Sequence, residues 1–303
     1  ELARARTQQW RNKAVSDTYY PGSVFKMITL SMAFEENLVK ETTSFTCTGS
    51  YQPVTGETVH CWRRAGHGVQ SIIEGTCNSC NPLFIYLGEL LGEDSFMKYF
   101  KAFGFGEKTG IDLPGESRSI YKDAESMNRM DLAVYAFGQN FSITPIQMVT
   151  AASVIANGGY LVQPHVVSQI LDSDGNLVQT ADTSVKRQVI SEDVAKRVRA
   201  ILQTNATTGT AKNGYVAGYR VAGKTGTSQK VADYNTRRAN AQEKLKEAQE
   251  MVVQEGPNQA AQQQEKNRKI QEAQNELESV KMRYIASYCG FAPADDPEIA
   301  MLI

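Results

Sequence analysis

Ser23 and Lys26 stand three residues apart in Tyr20-Pro21-Gly22-Ser23-Val24-Phe25-Lys26, at the start of an apolar run that reads as a helix to about residue 37. Three residues is close to one helical turn, so the two side chains share a face. A serine hydroxyl is a weak nucleophile until a base stands beside it. A lysine amine is such a base when burial or a neighbouring cation lowers its pKa. The start of a helix adds free backbone N–H groups and a positive field, which suit a centre where negative charge develops. Ser-x-x-Lys alone also opens many ordinary helices. Two further elements accompany it here. Ser79-Cys80-Asn81 follows Ser23 by 56 residues, and Lys224-Thr225-Gly226-Thr227 lies in a run, 219–229, that reads as a strand. An extended edge strand can pair with a peptide-like substrate. A second Lys-Thr-Gly, Lys108-Thr109-Gly110, sits in a glycine-rich turn and lacks that strand.

A second group of chemistry-bearing residues overlaps the first. The chain has five cysteines and three histidines, and Cys47, Cys61, Cys77 and Cys80 cluster with His60 and His67. An odd cysteine count argues against a complete disulfide framework. Cys47, Cys61, His67 and Cys80 are separated by 14, 6 and 13 residues. Thiolate and imidazole are the usual ligands of tetrahedral zinc, so these four are the candidate ligands, with His60 and Cys77 in reserve. The alternative is three thiols buried as small hydrophobes. In an extended loop Cys80 would face away from Ser79 and Asn81, so a metal there would grip that loop from behind. Cys77-Asn78-Ser79-Cys80 has redox spacing without the strand–helix–strand setting of a thioredoxin. Cys289 reads as packing and His165 as structural.

These residues need a body to hold them. The 303 residues suffice for one large domain or two small ones. Net charge is −1, with no basic stripe, which excludes nucleic acid as a partner. No apolar stretch is long enough to span a bilayer. Residues 74–91 and 144–156 read as helices, the second stopped by Asn157-Gly158-Gly159. Residues 284–293 and 298–303 read as strands around the turn Ala294-Asp295-Asp296-Pro297. Between them, 235–283 is rich in Ala, Gln, Glu and Lys. Ala241, Leu245, Ala248 and Val252 precede Gly256-Pro257, and Ile270, Ala273, Leu277 and Val280 follow it, at coiled-coil spacings. The pattern predicts an antiparallel helical hairpin; the alternative is a charged loop. The expected division is 1–234, the insert 235–283, and 284–303.

The ordered set Ser-x-x-Lys, Ser-x-Asn, Lys-Thr-Gly resembles the signature of serine β-lactamases and penicillin-binding proteins. Residues 12–39, 78–115, 144–159 and 284–297 resemble class B penicillin-binding proteins of the cell-division or sporulation type. The resemblance covers nearly all of the chain outside the insert. It implies an α/β (α+β) fold of the β-lactamase/transpeptidase type, an antiparallel sheet flanked by helices. It implies a peptidoglycan D,D-transpeptidase acting on D-Ala-D-Ala stem peptides and blocked by β-lactams. Ser23 would be the acylated nucleophile and Lys26 its base. Ser79 would relay a proton to the leaving amine, and Asn81 would hold Lys26 and the substrate amide. Lys224 would supply positive potential, and Thr225 and Thr227 would bind the substrate carboxylate. Gly226 would leave room for the substrate backbone, and the N–H groups of Ser23 and Thr227 would form an oxyanion hole. Several class B relatives also resemble this chain in carrying Asp, His and Cys zinc ligands between their first two motifs.

Departures from the family pattern are Gly138-Gln139-Asn140 in place of Gly-Gln-Gly, and the long insert after Lys-Thr-Gly. The family's first strands and last helix would lie outside 1–303, so the sheet is expected to be incomplete. The implied location is the outer face of the cytoplasmic membrane, with the anchor outside this stretch. Implied partners are lipid II-derived strands, β-lactams and cell-wall synthesis proteins contacted by the hairpin. Rival readings are a serine β-lactamase and a non-catalytic β-lactam sensor or scaffold. The first lacks its Glu-x-x-Leu-Asn motif here, and the intact motif residues argue against the second.

Overall fold

The computed structural model describes Arg6 and residues 9–303; residues 1–5, 7 and 8 of the expected first segment lie outside the described residues. Two compact units emerge, 1–228 with 286–303, and 229–285. The first unit is built around one helix. A 3-10 turn, Gly22–Phe25, leads into α2 (Lys26–Glu35), preceded by the short α1 (Lys13–Ser16). Every residue of α2 from Lys26 to Phe34 is buried. A helix apolar on all sides belongs inside a core, and α2 is packed by α4 (Asn81–Ala102), α6 (Pro145–Ala156) and α7 (Glu192–Thr208). Behind the 3-10 turn, the Phe25 ring meets Phe141 at 4.8 Å and Phe105 at 5.3 Å. Phe100 closes the same cluster against Phe105 and Phe141. Such aromatic pairs add roughly 0.5–1.5 kcal/mol each beyond area burial.

Between the first two motifs lie two small antiparallel ribbons, β1 (Ser44–Cys47) with β4 (Gly68–Ser71), and β2 (Ser50–Val54) with β3 (Glu57–His60). They are followed by α3 (Ile72–Cys77). Beyond α4 and α5 (Arg129–Tyr135), α6 starts at Thr144, whose side chain and Gln147 form a reciprocal cap with proline in the first turn. Two further ribbons follow, β5 (Tyr160–Val162) with β8 (Val185–Gln188), and β6 (Gln169–Leu171) with β7 (Leu177–Thr180).

The main sheet has three strands in the order β11-β10-β9: β9 (Ala222–Gln229), β10 (Tyr284–Ala292) and β11 (Ile299–Leu302). β10 and β11 are antiparallel. Gly290 lies against Ala222 and Gly223, and Gly226 against Ser287, so β9 and β10 also run antiparallel. β9 is therefore one of the two edge strands of this sheet among the described residues, β11 being the other. α6 packs on β11. The fold is mixed helix and sheet, as the motif order predicts.

One helix differs from expectation. The run 74–91 is broken at 78–80, where α3 ends and α4 begins. The Cys80 N–H donates to the Gly75 carbonyl and the Ser79 N–H to the Thr76 carbonyl, 2.9 and 3.1 Å. This bond pair is a Schellman helix stop, with Ser79 in the left-handed position at φ 51°. The break has local signals of its own, Asn78-Ser79 and Asn81-Pro82, which the reading of 74–91 as one helix passes over.

The second unit contains α8 (Val231–Glu250) and α9 (Gln259–Ser279). They run antiparallel, with Lys244 Nζ 2.7 Å from Glu276 and Lys266 donating to the Met251 carbonyl. Ala241, Ala248 and Ala273 are buried in the seam, with Leu245, Ile270 and Leu277 half-buried. Val252 and Val280, expected in the seam, lie past their helix ends, and Val252 is 82% exposed. The linker around Gly256-Pro257 begins sooner than the spacing suggests.

Because 229–285 is a unit with its own seam, the body should fold without it. Replacing residues 236–282 by a short Gly-Ser linker is expected to keep a cooperative unfolding transition and penicillin acylation within a few-fold. Retained folding with lost acylation would make the hairpin part of the active site.

Candidate active site

The 3-10 turn carrying Ser23 is wedged between backbone segments. The Gly22 N–H donates to the Gly138 carbonyl at 2.8 Å. A Cβ on Gly138 would sit 2.1 Å from the Gly22 oxygen, and one on Gly22 would sit 2.7 Å from the Thr227 oxygen. Both glycines have positive φ, so close approach and conformation demand the same residue type. Asn140, where the family pattern has glycine, has φ 68°. Asparagine tolerates that region, and its amide donates to Asp131 at 2.9 Å.

Lys26, fully buried one turn after Ser23, points at the Ser-x-Asn turn. Its Nζ donates to the Ser79 carbonyl at 2.9 Å and to Asn81 Oδ1 at 2.6 Å, and lies 3.2 Å from Ser79 Oγ. Lys224 reaches the same hydroxyl from β9, with Nζ 2.8 Å from Ser79 Oγ and 3.1 Å from the Thr225 carbonyl. Burial holds the Lys26 amine down at about 7, against the pull of the Cys80 and Cys61 thiols. Burial, and then the charge of Lys26, holds Lys224 well below the usual lysine range. A neutral Lys26 gives its two N–H groups to the two carbonyl-type oxygens, which can only accept, and turns its lone pair to the Ser79 hydroxyl. Lys224 donates to that hydroxyl from the other side. One oxygen thus links two amines in a proton path.

The structure thereby brings Lys26, Ser79, Asn81 and Lys224 into one hydrogen-bonded group. Ser23 joins it through the backbone, its carbonyl accepting the Lys26 N–H; among the described residues its hydroxyl has no hydrogen bond. On β9, Lys224, Gly226 and Ser228 are buried, whereas Thr225 is half-buried and Thr227 exposed. Gly226 is also required by packing inside the fold. A Cβ there would meet Ser287 Oγ at 2.5 Å, Val24 at 3.0 Å and the Pro21 oxygen at 3.1 Å. The space on that side of Gly226 is taken up by Ser287 of β10 and by the serine turn. Lys108-Thr109-Gly110 is a loop tied to the Glu116 carboxylate, which accepts from Thr109 N and Oγ1 and from Gly110 N.

Cys80, between Ser79 and Asn81, faces away from the lysines. Ligand atoms of Cys47, Cys61, His67 and Cys80 all lie within 4.8 Å of one another, with Cys61 Sγ 3.6 Å from His67 Nδ1. The opposite facing comes from a helix stop, not from the extended loop expected. Two tight crossings assemble the group: a Cβ on Gly49 would sit 2.0 Å from the Arg64 oxygen, and one on Gly66 2.3 Å from the Cys47 oxygen. The hydrogen bond between Cys61 and Cys80 pulls the Cys61 thiol down and pushes Cys80 up. His60 and Cys77 are outside this group. Cys289 is buried in β10, its thiol pushed up to about 12 by burial. Sequence reasoning missed Trp62, whose indole N–H donates to the Asn78 carbonyl at 2.8 Å and braces the Ser-x-Asn turn. An aromatic residue one position after a candidate ligand was the available signal.

The family described as penicillin binding protein transpeptidase domain matches residues 2–269. Stage V sporulation protein D of Bacillus subtilis is 38% identical over 294 residues, 97% of this chain and 39% of that protein. The peptidoglycan D,D-transpeptidase MrdA of Acinetobacter baumannii is 29% identical over 229 residues, 72% of this chain and 34% of that protein. The chain thus spans about two fifths or less of these relatives. The crystal structure of penicillin-binding protein 3 from Mycobacterium tuberculosis complexed with aztreonam superposes with a TM-score of 0.73. It is 26% identical, over 98% of this chain and 58% of that one.

The left-handed Ser79 gives a stability test. Glycine meets no Cβ penalty there, whereas alanine does and also lacks the hydroxyl. Ser79→Gly is expected to exceed Ser79→Ala in stability by about 1 kcal/mol in denaturant unfolding. Equal stabilities would mean that the turn is unstrained in solution.

Proposed function

We propose a function from this premise: the chain belongs to the family of penicillin-binding protein transpeptidase domains. The reading is a serine D,D-transpeptidase that carries a peptidoglycan stem peptide as an ester on Ser23. The observation that carries it is the convergence of Lys26 and Lys224 on Ser79 Oγ, beside the serine turn and the edge strand. Lys26 takes the Ser23 proton as Oγ attacks the carbonyl of the penultimate D-Ala. The C–N bond to the last D-Ala then breaks. The proton passes through Ser79 to the departing amine, and the acyl group remains on Ser23. An acceptor amine attacks that ester, gives up a proton by the reverse path, and releases Ser23 with a new amide bond. The N–H groups of Ser23 and Thr227 face the developing oxyanion, a role worth ~3 kcal/mol per donor elsewhere. Thr225 and Thr227 take the substrate carboxylate beside Lys224. Asn81 holds the Lys26 amine and meets the substrate amide. A β-lactam follows the first half of this path and stays attached. The acyl chemistry needs no cofactor.

Cys47, Cys61, His67 and Cys80 would hold a structural zinc. Three thiols and an imidazole match its donor preference, and the spacing of their ligand atoms fits a single ion. Bound there, zinc would supply only a cross-link between the ribbons and the Ser-x-Asn turn. Relatives named for sporulation and peptidoglycan synthesis support a place at the outer face of the cytoplasmic membrane. No helix among the described residues is long and apolar enough to cross a membrane. The polar, charged surface of α8 and α9 suits contacts with other cell-wall synthesis proteins.

Ser23→Ala should abolish penicillin acylation in intact-mass spectrometry while leaving the fold unchanged. Lys224→Ala should slow acylation at least about tenfold, a loss of roughly 1.4 kcal/mol of transition-state stabilisation, whereas Lys108→Ala should leave it near normal. Acylated Ser23→Ala protein would remove Ser23 from the reaction. Rapid release of the penicillin would favour a β-lactamase, and durable acylation without cross-linking of lipid II-derived strands a sensor.

For the metal, elemental analysis of protein made with zinc present should find about one ion per chain. A strong chelator should lower the melting temperature, because a ligand bound only to the folded state stabilises it. Zinc-free protein from zinc-replete cells would eliminate the site.

A further inference from the structure

Asn205 is fully buried in α7 and lies outside every motif named above. A buried amide must spend its hydrogen-bonding groups on something. Its Nδ2 donates to the Gly223 carbonyl at 2.7 Å, the peptide unit that leads into Lys224. Its Oδ1 accepts from Thr210 Oγ1 at 3.4 Å. The Thr210 N–H donates in turn to the Cys77 carbonyl at 2.9 Å, two residues before Ser79. The neighbourhood is shaped to this side chain: a Cβ on Gly209 would sit 2.2 Å from Asn205 Oδ1. One side chain therefore holds both walls whose tips meet at Lys224 Nζ and Ser79 Oγ.

We infer that Asn205 is a positioning residue, which sets the approach of Lys224 to Ser79 by fixing the Gly223–Lys224 peptide and, through Thr210, the end of α3. The inference rests on the transpeptidase reading above. Lys224 reaches its partner along a long flexible stem, and a small rotation of the peptide at its base moves the amine by more than the tolerance of a 2.8 Å bond. A group misplaced by an ångström costs orders of magnitude in catalysis. A role confined to core stability would lower the melting temperature and leave the chemistry of the folded fraction intact.

The test is a double-mutant cycle read by penicillin acylation kinetics, with the non-covalent and covalent steps separated by varying the penicillin concentration. Asn205→Leu keeps the size and removes both hydrogen bonds; Asn205→Asp keeps the shape and the acceptor but loses the donor to Gly223. Each should slow the covalent step about tenfold or more, leave non-covalent binding within a few-fold, and do so at temperatures well below its melting point. In a Lys224→Ala background the same substitutions should have almost no further effect, because the group they position is gone. Undiminished covalent rates in both folded variants, or losses that multiply fully with Lys224→Ala, would overturn the inference. Should Asn205→Leu fail to fold, Thr210→Val tests the other arm, with a several-fold slowing expected and an unchanged rate counting against it. If the wild-type chain itself is not acylated, it is the transpeptidase reading that fails.

Discussion

Two lysine side chains end on one serine hydroxyl inside a protein core, and most of the structure can be understood as what that arrangement requires. Buried ammonium groups repel one another and lose their hydration, so both Lys26 and Lys224 are pushed toward their neutral forms. The pair is tolerable only because each amine meets oxygen acceptors: Ser79, Asn81 and the Thr225 carbonyl. A free amine beside a hydroxyl is the condition for nucleophilic chemistry by serine. The electrostatic cost of burial and the chemical use of the site are thus one fact.

Holding three separate chain segments at one hydroxyl demands rigidity from each. The serine turn is backed by the phenylalanine cluster and gripped by the Gly138 carbonyl. The Ser-x-Asn turn is a helix stop followed at once by a helix start, so its position is fixed from both sides. The strand bearing Lys224 is paired on one side only, which leaves the other edge for an extended peptide. Gly22, Gly138 and Gly226 permit these segments to touch backbone to backbone. The demand for glycine at such points is steric: any larger residue would separate groups that meet within about 3 Å.

Much of this was legible in the sequence because the chemistry is local. Ser23 and Lys26 are one turn apart, and Ser79, Asn81 and Lys224 stand in short ordered motifs, so residue order alone named the groups that converge. The helix 144–156 carried its own capping signals and emerged with those ends. What was not legible depends on three-dimensional crossings. The stop at Ser79 is made by backbone bonds across the turn; its sequence marks, Asn78 and Asn81-Pro82, were outweighed by the apolar spacing on either side. The packing demand for glycine at 226 needs the positions of Ser287 and of Val24, the latter some two hundred residues earlier. Asn205 is an ordinary polar residue in an amphipathic helix, and only its burial sets it apart. In the hairpin, the seam residues Val252 and Val280 continue the spacing past the point where the chain has already left the helix.

The helix stop at Ser79 also explains why two kinds of chemistry can occupy adjacent residues. A left-handed residue reverses the direction in which its neighbour projects, so Ser79 enters the lysine cluster while Cys80 joins Cys47, Cys61 and His67 on the far side. An L-residue in that conformation carries strain of order 1–3 kcal/mol and persists only where the surroundings over-determine it. Here the surroundings are the thiol–imidazole group behind, the Trp62 bond to Asn78 beside, and the two amines in front. Each constrains the same three-residue turn. Loosening any one of them would let Ser79 relax toward ordinary backbone angles and draw its hydroxyl away from the amines. The cysteine group and the lysine–serine group are therefore linked through a single peptide turn, as well as by the pull of the Cys80 and Cys61 thiols on Lys26.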